Sequence, residues 1–332
     1  MYKRQSYGRR AARDHAASLL AELPVTRGDL DALIDREAAA LAQARAHHTA
    51  LATLGRPWLP RRLHERADEI AYTVILLWSA RTGATALATA ARAWRRSVEP
   101  RTRARALEVI AGSLRPTRLA ATAALLGGGS ARVVEVDQAI AAELATGDPL
   151  ARALLLGALD PATRAAHRAL ISSAARQAAE LAGPEALLRR LSVTDDEGVD
   201  DMPTRIETLV VLGKVPLLSA LTSRQLADLA AAVTWSELEP GALVVASGEV
   251  IDALLIVGDG ALVGDDGRRW GPGDVVDELA LVAPRPWACA IRAAGPGRLA
   301  HLERVAFAEL LDDVPGLGPA VCQALGQRLR AR

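Results

Sequence analysis

Few side chains in this sequence stand at the spacings that chemistry requires. A zinc site needs histidines or cysteines one helical turn apart or in close pairs. His64-Glu65 has no second histidine one turn on, and the adjacent His47 and His48 point to different faces of any helix. His15, His167 and His301 stand alone, as surface or hydrogen-bonded histidines do. Cys289 and Cys322 are too few for a disulfide framework and lack metal-ligand spacing, so both are expected as reduced thiols in a cytosolic compartment. Gly127-Gly128-Gly129-Ser130 lacks the Gly-Lys-Ser/Thr that would reach phosphate and magnesium, and reads as a turn. No nucleophile elbow, kinase signature or paired-carboxylate motif can be placed. The chain is therefore expected not to be an enzyme and to require no metal or other cofactor.

The elements around these residues change character along the chain. At 332 residues there is room for two domains. Half the residues are hydrophobic and only 3% aromatic, which favours closely packed helices over a β-rich whole. From residue 10 to about 190 apolar residues recur at three- and four-residue steps, as in Leu63, Ile70, Val74 and Leu77, and in Leu107, Ile110 and Leu114. Breaks are expected at Pro24, Gly55-Arg56-Pro57, Gly83, Pro100, Pro116, Gly127, Asp148-Pro149, Asp160-Pro161 and Gly183-Pro184. Three segments share a loose form, opening at Pro100, at Asp148-Pro149 and at Asp160-Pro161. Short helices repeated in this way suggest a HEAT-like α-solenoid over 1–193, with an irregular helical bundle as the alternative. Asp195-Asp196-Glu197-Gly198-Val199-Asp200-Asp201 reads as an acidic linker, 194–202, before a second domain at 203–332.

In that second domain, Thr204 to Leu212 and Thr222 to Val233 read as helices, the latter capped by Thr222 or Ser223. Short apolar runs follow at Leu243–Val245, Ala253–Val257, Ala261–Val263, Val275-Val276, Ala288–Ile291 and Leu299–Leu302. The turns between them are Pro240-Gly241, Ser247-Gly248, Gly258-Asp259-Gly260, Asp265-Asp266-Gly267 and Gly271-Pro272-Gly273. Such spacing predicts a small barrel or sandwich, closed by a helix from Gly318 to Arg330. The fold class expected for the whole is α+β.

Glu239-Pro240-Gly241, Gly248-Glu249, Asp252, Leu255-Ile256-Val257 and Gly260 resemble, in order and spacing, the cyclic-nucleotide-binding domain family. The lead-in Val211–Leu218 is similar to that family's entry, and Gly273-Asp274-Val275-Val276-Asp277-Glu278-Leu279-Ala280-Leu281 to its phosphate-binding cassette. The resemblance covers about 203–332 and implies a β-roll. It also implies a pocket in which backbone amides at a helix start and one arginine hold a cyclic phosphate, while a glutamate holds the ribose. The residues it points to are Gly273, Asp277, Glu278, Leu279, Ala280, Arg285, Trp287 and Ala288.

Glu278 matches the ribose position, whereas Asp277 stands where the family has glycine and sets a carboxylate beside the phosphate. Counting without gaps puts Trp287 at the arginine position; Arg285, two residues earlier, preserves the strand face, and both assignments stay open. Without ligand, Glu278 would serve as a cap or hydrogen-bond anchor and Trp287 as a packing residue.

Charge and hydropathy narrow the partners. The formal net charge of +1 gives no global bias towards nucleic acid or anionic lipid. The basic start, with Lys3, Arg4, Arg9, Arg10 and Arg13, reads as a solvated helix face or frayed end. No apolar run approaches the ~20 residues of a membrane span; Ile70–Trp78 is the longest. No signal peptide is read at the start. Met1-Tyr2-Lys3-Arg4-Gln5 resembles a pentapeptide recurring at the ends of metagenomic reading frames, which leaves open a longer natural protein. Helical repeats followed by a β-roll resemble the cytosolic part of bacterial transporters of the ATP/ADP-translocase or major-facilitator type.

Two functions follow as expectations. One is a non-enzymatic regulatory module with a degenerate nucleotide pocket, a protein or transporter partner and no nucleic-acid partner. The other is a true cAMP or cGMP sensor coupled to the helical domain.

Overall fold

The computed structural model describes residues 26–55, 58–97, 100–126, 132–173, 205–218, 221–313 and 317–331. The chain is α+β and divides into two compact units, Met1–Leu170 and Ile171–Arg332. The expected linker at 194–202 lies outside the described residues. So do the basic start, His15, Pro24, Gly127–Ser130 and Gly183-Pro184.

The first unit is helical. Helix α1 (Arg27–Leu51) opens on a capping box, in which the Thr26 hydroxyl accepts from Asp29 N and the Asp29 carboxylate accepts from Thr26 N. Gly55, at φ +67°, closes the short 3₁₀ turn that follows, and helix α2 (Trp58–Thr82) packs along α1. The apolar run Ile70–Trp78 falls inside α2, where Val74, Ile75, Leu76 and Leu77 are buried against Leu30, Ile34 and Leu41 of α1. Among the described residues, no helix is long and apolar enough to cross a membrane.

Helices α3 (Thr85–Arg96), α4 (Pro100–Leu114) and α5 (Ala120–Leu126) pack in succession, with Leu87, Trp94, Ile110 and Leu114 in the same core. Helices α6 (Val136–Thr146), α7 (Pro149–Ala158) and α8 (Pro161–Ala166) follow. Each of the expected proline starts opens a helix. Asp148 and Asp160 cap α7 and α8 by accepting from Leu150 N and Thr163 N, and the proline behind each cap forfeits no helical hydrogen bond.

In the second unit, α9 (Arg205–Leu212) and α10 (Ser223–Ala230) lead into the strands, and Thr222 caps α10 as expected. Strands β1 (Thr234–Leu238), β7 (Gly297–Glu303) and β3 (Ala253–Asp259) form one antiparallel sheet in the order β1-β7-β3. The other holds β2 (Leu243–Val245), β6 (Ile291–Ala293), β4 (Leu262–Gly264) and β5 (Arg269–Trp270) in the order β2-β6-β4-β5. Leu238, Leu255, Val257, Leu262, Ile291 and Leu299 fill the space between the sheets. All five expected turns carry a glycine at positive φ: Gly241, Gly248, Gly260, Gly267 and Gly273. Helices α11 (Arg304–Asp313) and α12 (Leu317–Ala331) close the unit.

Several details depart from the expectation, among them β5 and α11, which answer to no expected run or helix. β1 was not foreseen, because Thr-Trp-Ser-Glu-Leu is mostly polar and pairs along one edge only. Val275 makes an isolated bridge to Ile256 instead of joining a strand. The strand expected from Ala288 starts at Ile291, because 288–290 follow the turn that Gly248 and Trp287 lace together.

Candidate ligand site: the cassette of the β-roll

Gly273 to Leu281 is tied into the roll by backbone bonds before any side chain acts. Gly273 N donates to Val257 O at 2.7 Å, Val257 N to Asp274 O at 3.0 Å, and Val276 N to Leu255 O at 3.0 Å. Gly273 sits at φ +89°, and a Cβ there would stand 3.3 Å from Lys214 Cδ. Lys214 therefore runs across the entry of the cassette. Sequence reasoning gave it no role beyond the lead-in, since no local pattern links residues 59 positions apart.

A single 3₁₀ turn, Glu278–Leu281, follows. Its cap is Asp277, whose carboxylate accepts from Leu279 N at 3.0 Å while its own backbone is extended. Asp277 is buried, and Arg285 Nε reaches its second oxygen at 3.7 Å from a side chain that is 68% exposed. The amide at the start of the turn, the kind of donor that holds an anion at a helix start, is thus already engaged by a carboxylate of the chain itself.

Of the two arginine-position assignments, the structure brings Arg285 to the cassette carboxylate. Trp287 goes inward. It is 5% exposed and packs in the roll core with Val276 and Ala280. Its ring centroid lies 6.4 Å from that of Trp270, and the Arg268 guanidinium covers the Trp287 ring at 4.9 Å. Its backbone is locked by Trp287 N to Glu249 O and Gly248 N to Trp287 O, both at 2.8 Å. The indole Nε1 is buried with no hydrogen-bond partner among the described residues, a cost its packing must offset. Ala280 is fully buried, Leu279 is half-buried, and Ala288 is exposed with its carbonyl accepting from Ser247 Oγ at 3.2 Å. Glu278 opens the turn.

The helical unit holds a second group of titratable side chains, one that spacing did not reveal. Glu143 on α6 is 2% exposed; it accepts from Arg66 Nη1 at 3.0 and 2.8 Å and pairs with His47 Nδ1 at 2.7 Å. Beside it Arg62, also buried, contacts Glu69 and the α7 cap Asp148, each at 3.3 Å. Burial alone would lower the Arg62 pKa, but Asp148, Glu69 and Glu65 outweigh it and hold the guanidinium charged. His48 faces His64 at a 5.5 Å ring separation, away from His47, as the sequence reading required. Every charge in this cluster has a countercharge, an arrangement that stitches helices together. Among the described residues no group of three or more potential ligands could hold a metal ion.

Comparison with known proteins places the roll. Residues 235–314 match the family model of the cyclic nucleotide-binding domain. The C-terminal unit carries such a domain. A curated relative, the cAMP-dependent protein kinase regulatory subunit of Colletotrichum orbiculare, is 31% identical over 112 residues. That match takes in 32% of this chain and 29% of the relative, so the chain spans less than a third of the relative's length. The N-terminal domain of a transcriptional regulator from Streptomyces coelicolor A3(2) is 28% identical; the match covers 36% of this chain and 91% of that one, with a TM-score of 0.33. The regulatory domain of Toxoplasma gondii PKA with cAMP is 24% identical, covering 37% of this chain and 50% of that one, with a TM-score of 0.31.

Proposed function

We infer that this chain is a non-enzymatic regulatory module whose cyclic-nucleotide-binding domain does not take up cAMP or cGMP with ordinary affinity. The observation that carries the reading is the bond from Leu279 N to the Asp277 carboxylate. A cyclic phosphate arriving there would have to displace a buried carboxylate that is already hydrogen-bonded, and two like charges in a shielded site cost on the order of kcal/mol. Trp287 supports the same reading, since a packed indole stands where one sequence assignment put the arginine. In this reading the module requires no cofactor. The helical unit, with its proline-started helices read as HEAT-like repeats, offers the surface for a protein partner. The module belongs in the cytoplasm as the regulatory part of a membrane transporter, a placement that rests on the order of helical repeats and roll.

Arg285 favours a second reading, that of a working sensor. Its exposed guanidinium stands at the cassette and could turn from Asp277 to an incoming phosphate. Calorimetry with cAMP and cGMP separates the two. The first reading expects no heat of binding at micromolar nucleotide and its appearance in Asp277→Gly. Micromolar or tighter binding by the unaltered chain, lost in Arg285→Ala, would overturn it. A thermal melt gives an independent check, because a ligand at a hundred times its Kd adds about 2.7 kcal/mol.

A further inference from the structure

Two groups of arginines stand out among the described residues of the helical unit. Arg45, Arg62, Arg66, Arg81 and Arg118 each meet a carboxylate at 3.3 Å or less. On α3, on α4 and just past its end, Arg92, Arg101, Arg103, Arg105 and Arg115 are exposed. Among the described residues these five make no ion pair and no side-chain hydrogen bond.

Their placement works against the helix that carries them. Arg101, Arg103 and Arg105 lie in the first six residues of α4, whose first turn has no acidic residue. A helix start is already positive, and Arg101 and Arg105, one turn apart, repel each other. Arg115 follows directly on the end of α4, while Ile110 and Leu114 face the core. Glu108 is the one acid on these two helices and is itself exposed, so the arginines outnumber it, and an array that forms no ion pair among the described residues points to a countercharge outside the unit.

We propose that the outer face of α3 and α4 docks a carboxylate-rich polypeptide segment. The complement follows from how this unit satisfies its other guanidinium groups. Arg81 grips Asp31 with two nitrogens at 3.1 and 3.2 Å, and Arg118 bridges Asp31 and Asp35 at 2.7 and 3.1 Å. Val109, 51% exposed among the arginines of α4, gives such a segment one apolar contact. Other polyanions find less to hold. Trp94 is buried and Tyr72 lies buried under Arg95, so no aromatic ring is offered for a nucleic-acid base to stack on. Val109 is the one large exposed hydrophobic on these two helices, too little to enter a bilayer interface.

The proposal rests on the reading of the helical unit as a partner surface, and names that partner's chemistry. Its test is fluorescence anisotropy of the full chain with a fluorescein-labelled glutamate peptide of about ten residues, in about 50 mM salt where screening is weak. Saturable binding is expected, weakened at least about tenfold by the double variant Arg101→Glu/Arg105→Glu and unchanged by Arg269→Glu on β5. The double variant should melt no lower than the parent, since acidic residues suit a helix start, so lost binding would not reflect lost folding. Absence of peptide binding, equal binding by the double variant, or tighter binding to duplex DNA or to phosphatidylserine vesicles would each overturn the proposal. All of these outcomes leave the nucleotide calorimetry untouched, so the pocket reading stands or falls separately.

Discussion

Glu143 and Asp277 are both buried carboxylates, one in each unit, and they are held in different ways. Glu143 is closed in by Arg66 and His47, with all three contacts at 3.0 Å or less. Its position is so tight that a Cβ on Gly147 would collide with its carboxylate and carbonyl oxygens. Asp277 has one amide bond and an arginine at 3.7 Å whose side chain is mostly in solvent. A carboxylate with both oxygens engaged is a structural tie. One with a single amide bond and a distant, exposed countercharge is held by fewer ties. The contrast locates adaptability in the cassette and rigidity in the helical unit.

The comparison breaks most readily at Glu143. Glu143→Ala leaves His47 and Arg66 without their shared acceptor, and should destabilise the helical unit by about 3–5 kcal/mol, read as a lowered denaturant midpoint. Trp287→Ala comes next: removing a buried indole from the roll core should cost about 3 kcal/mol in a thermal melt. Unchanged stability in that variant would contradict its packing role.

Asp277→Gly sharpens the comparison. Loss of the cap should cost about 1 kcal/mol, and the melt should become responsive to millimolar cAMP while the parent's is expected to stay unchanged. Arg285→Ala should change stability by less than about 1 kcal/mol, because the pair is long and exposed.

The smallest effect is one of pH. Burial lowers the His301 pKa below its ordinary 6.5, and the ring pairs with Ser236 Oγ at 2.7 Å. The unfolded chain therefore takes up the proton first as pH falls. Stability present above pH 6.5 is lost as pH drops through the window between 6.5 and the lower folded value. A melt series across that window should show a decline that His301→Gln reduces.

What could be read from residue order alone follows physical range. The turns were legible because glycine at positive φ is a local requirement, met at Gly241, Gly248, Gly260, Gly267 and Gly273 alike. The cassette was legible as a contiguous run, down to the oddity of a carboxylate at 277. What that carboxylate does was not legible: its capping bond to Leu279 N depends on how the turn folds and not on residue order. β1 escaped because its residues alternate too little to announce a face, and only its pairing with β7 defines it. The Glu143 cluster escaped because His47 and Arg66 lie 96 and 77 residues away, and no local pattern encodes a bond across that distance.

The tilted pair Trp270 and Trp287 gives the roll an optical signature. Two indoles whose rings stand 6.4 Å apart at 55° couple their electronic transitions. Circular dichroism in the indole bands should therefore carry a paired positive and negative lobe that neither ring produces alone. Because one ring belongs to β5 and the other follows the cassette, that signal would fade as the cassette loosens, before the sheets themselves come apart. The chain thus carries its own dye-free reporter of the segment where an anion would enter.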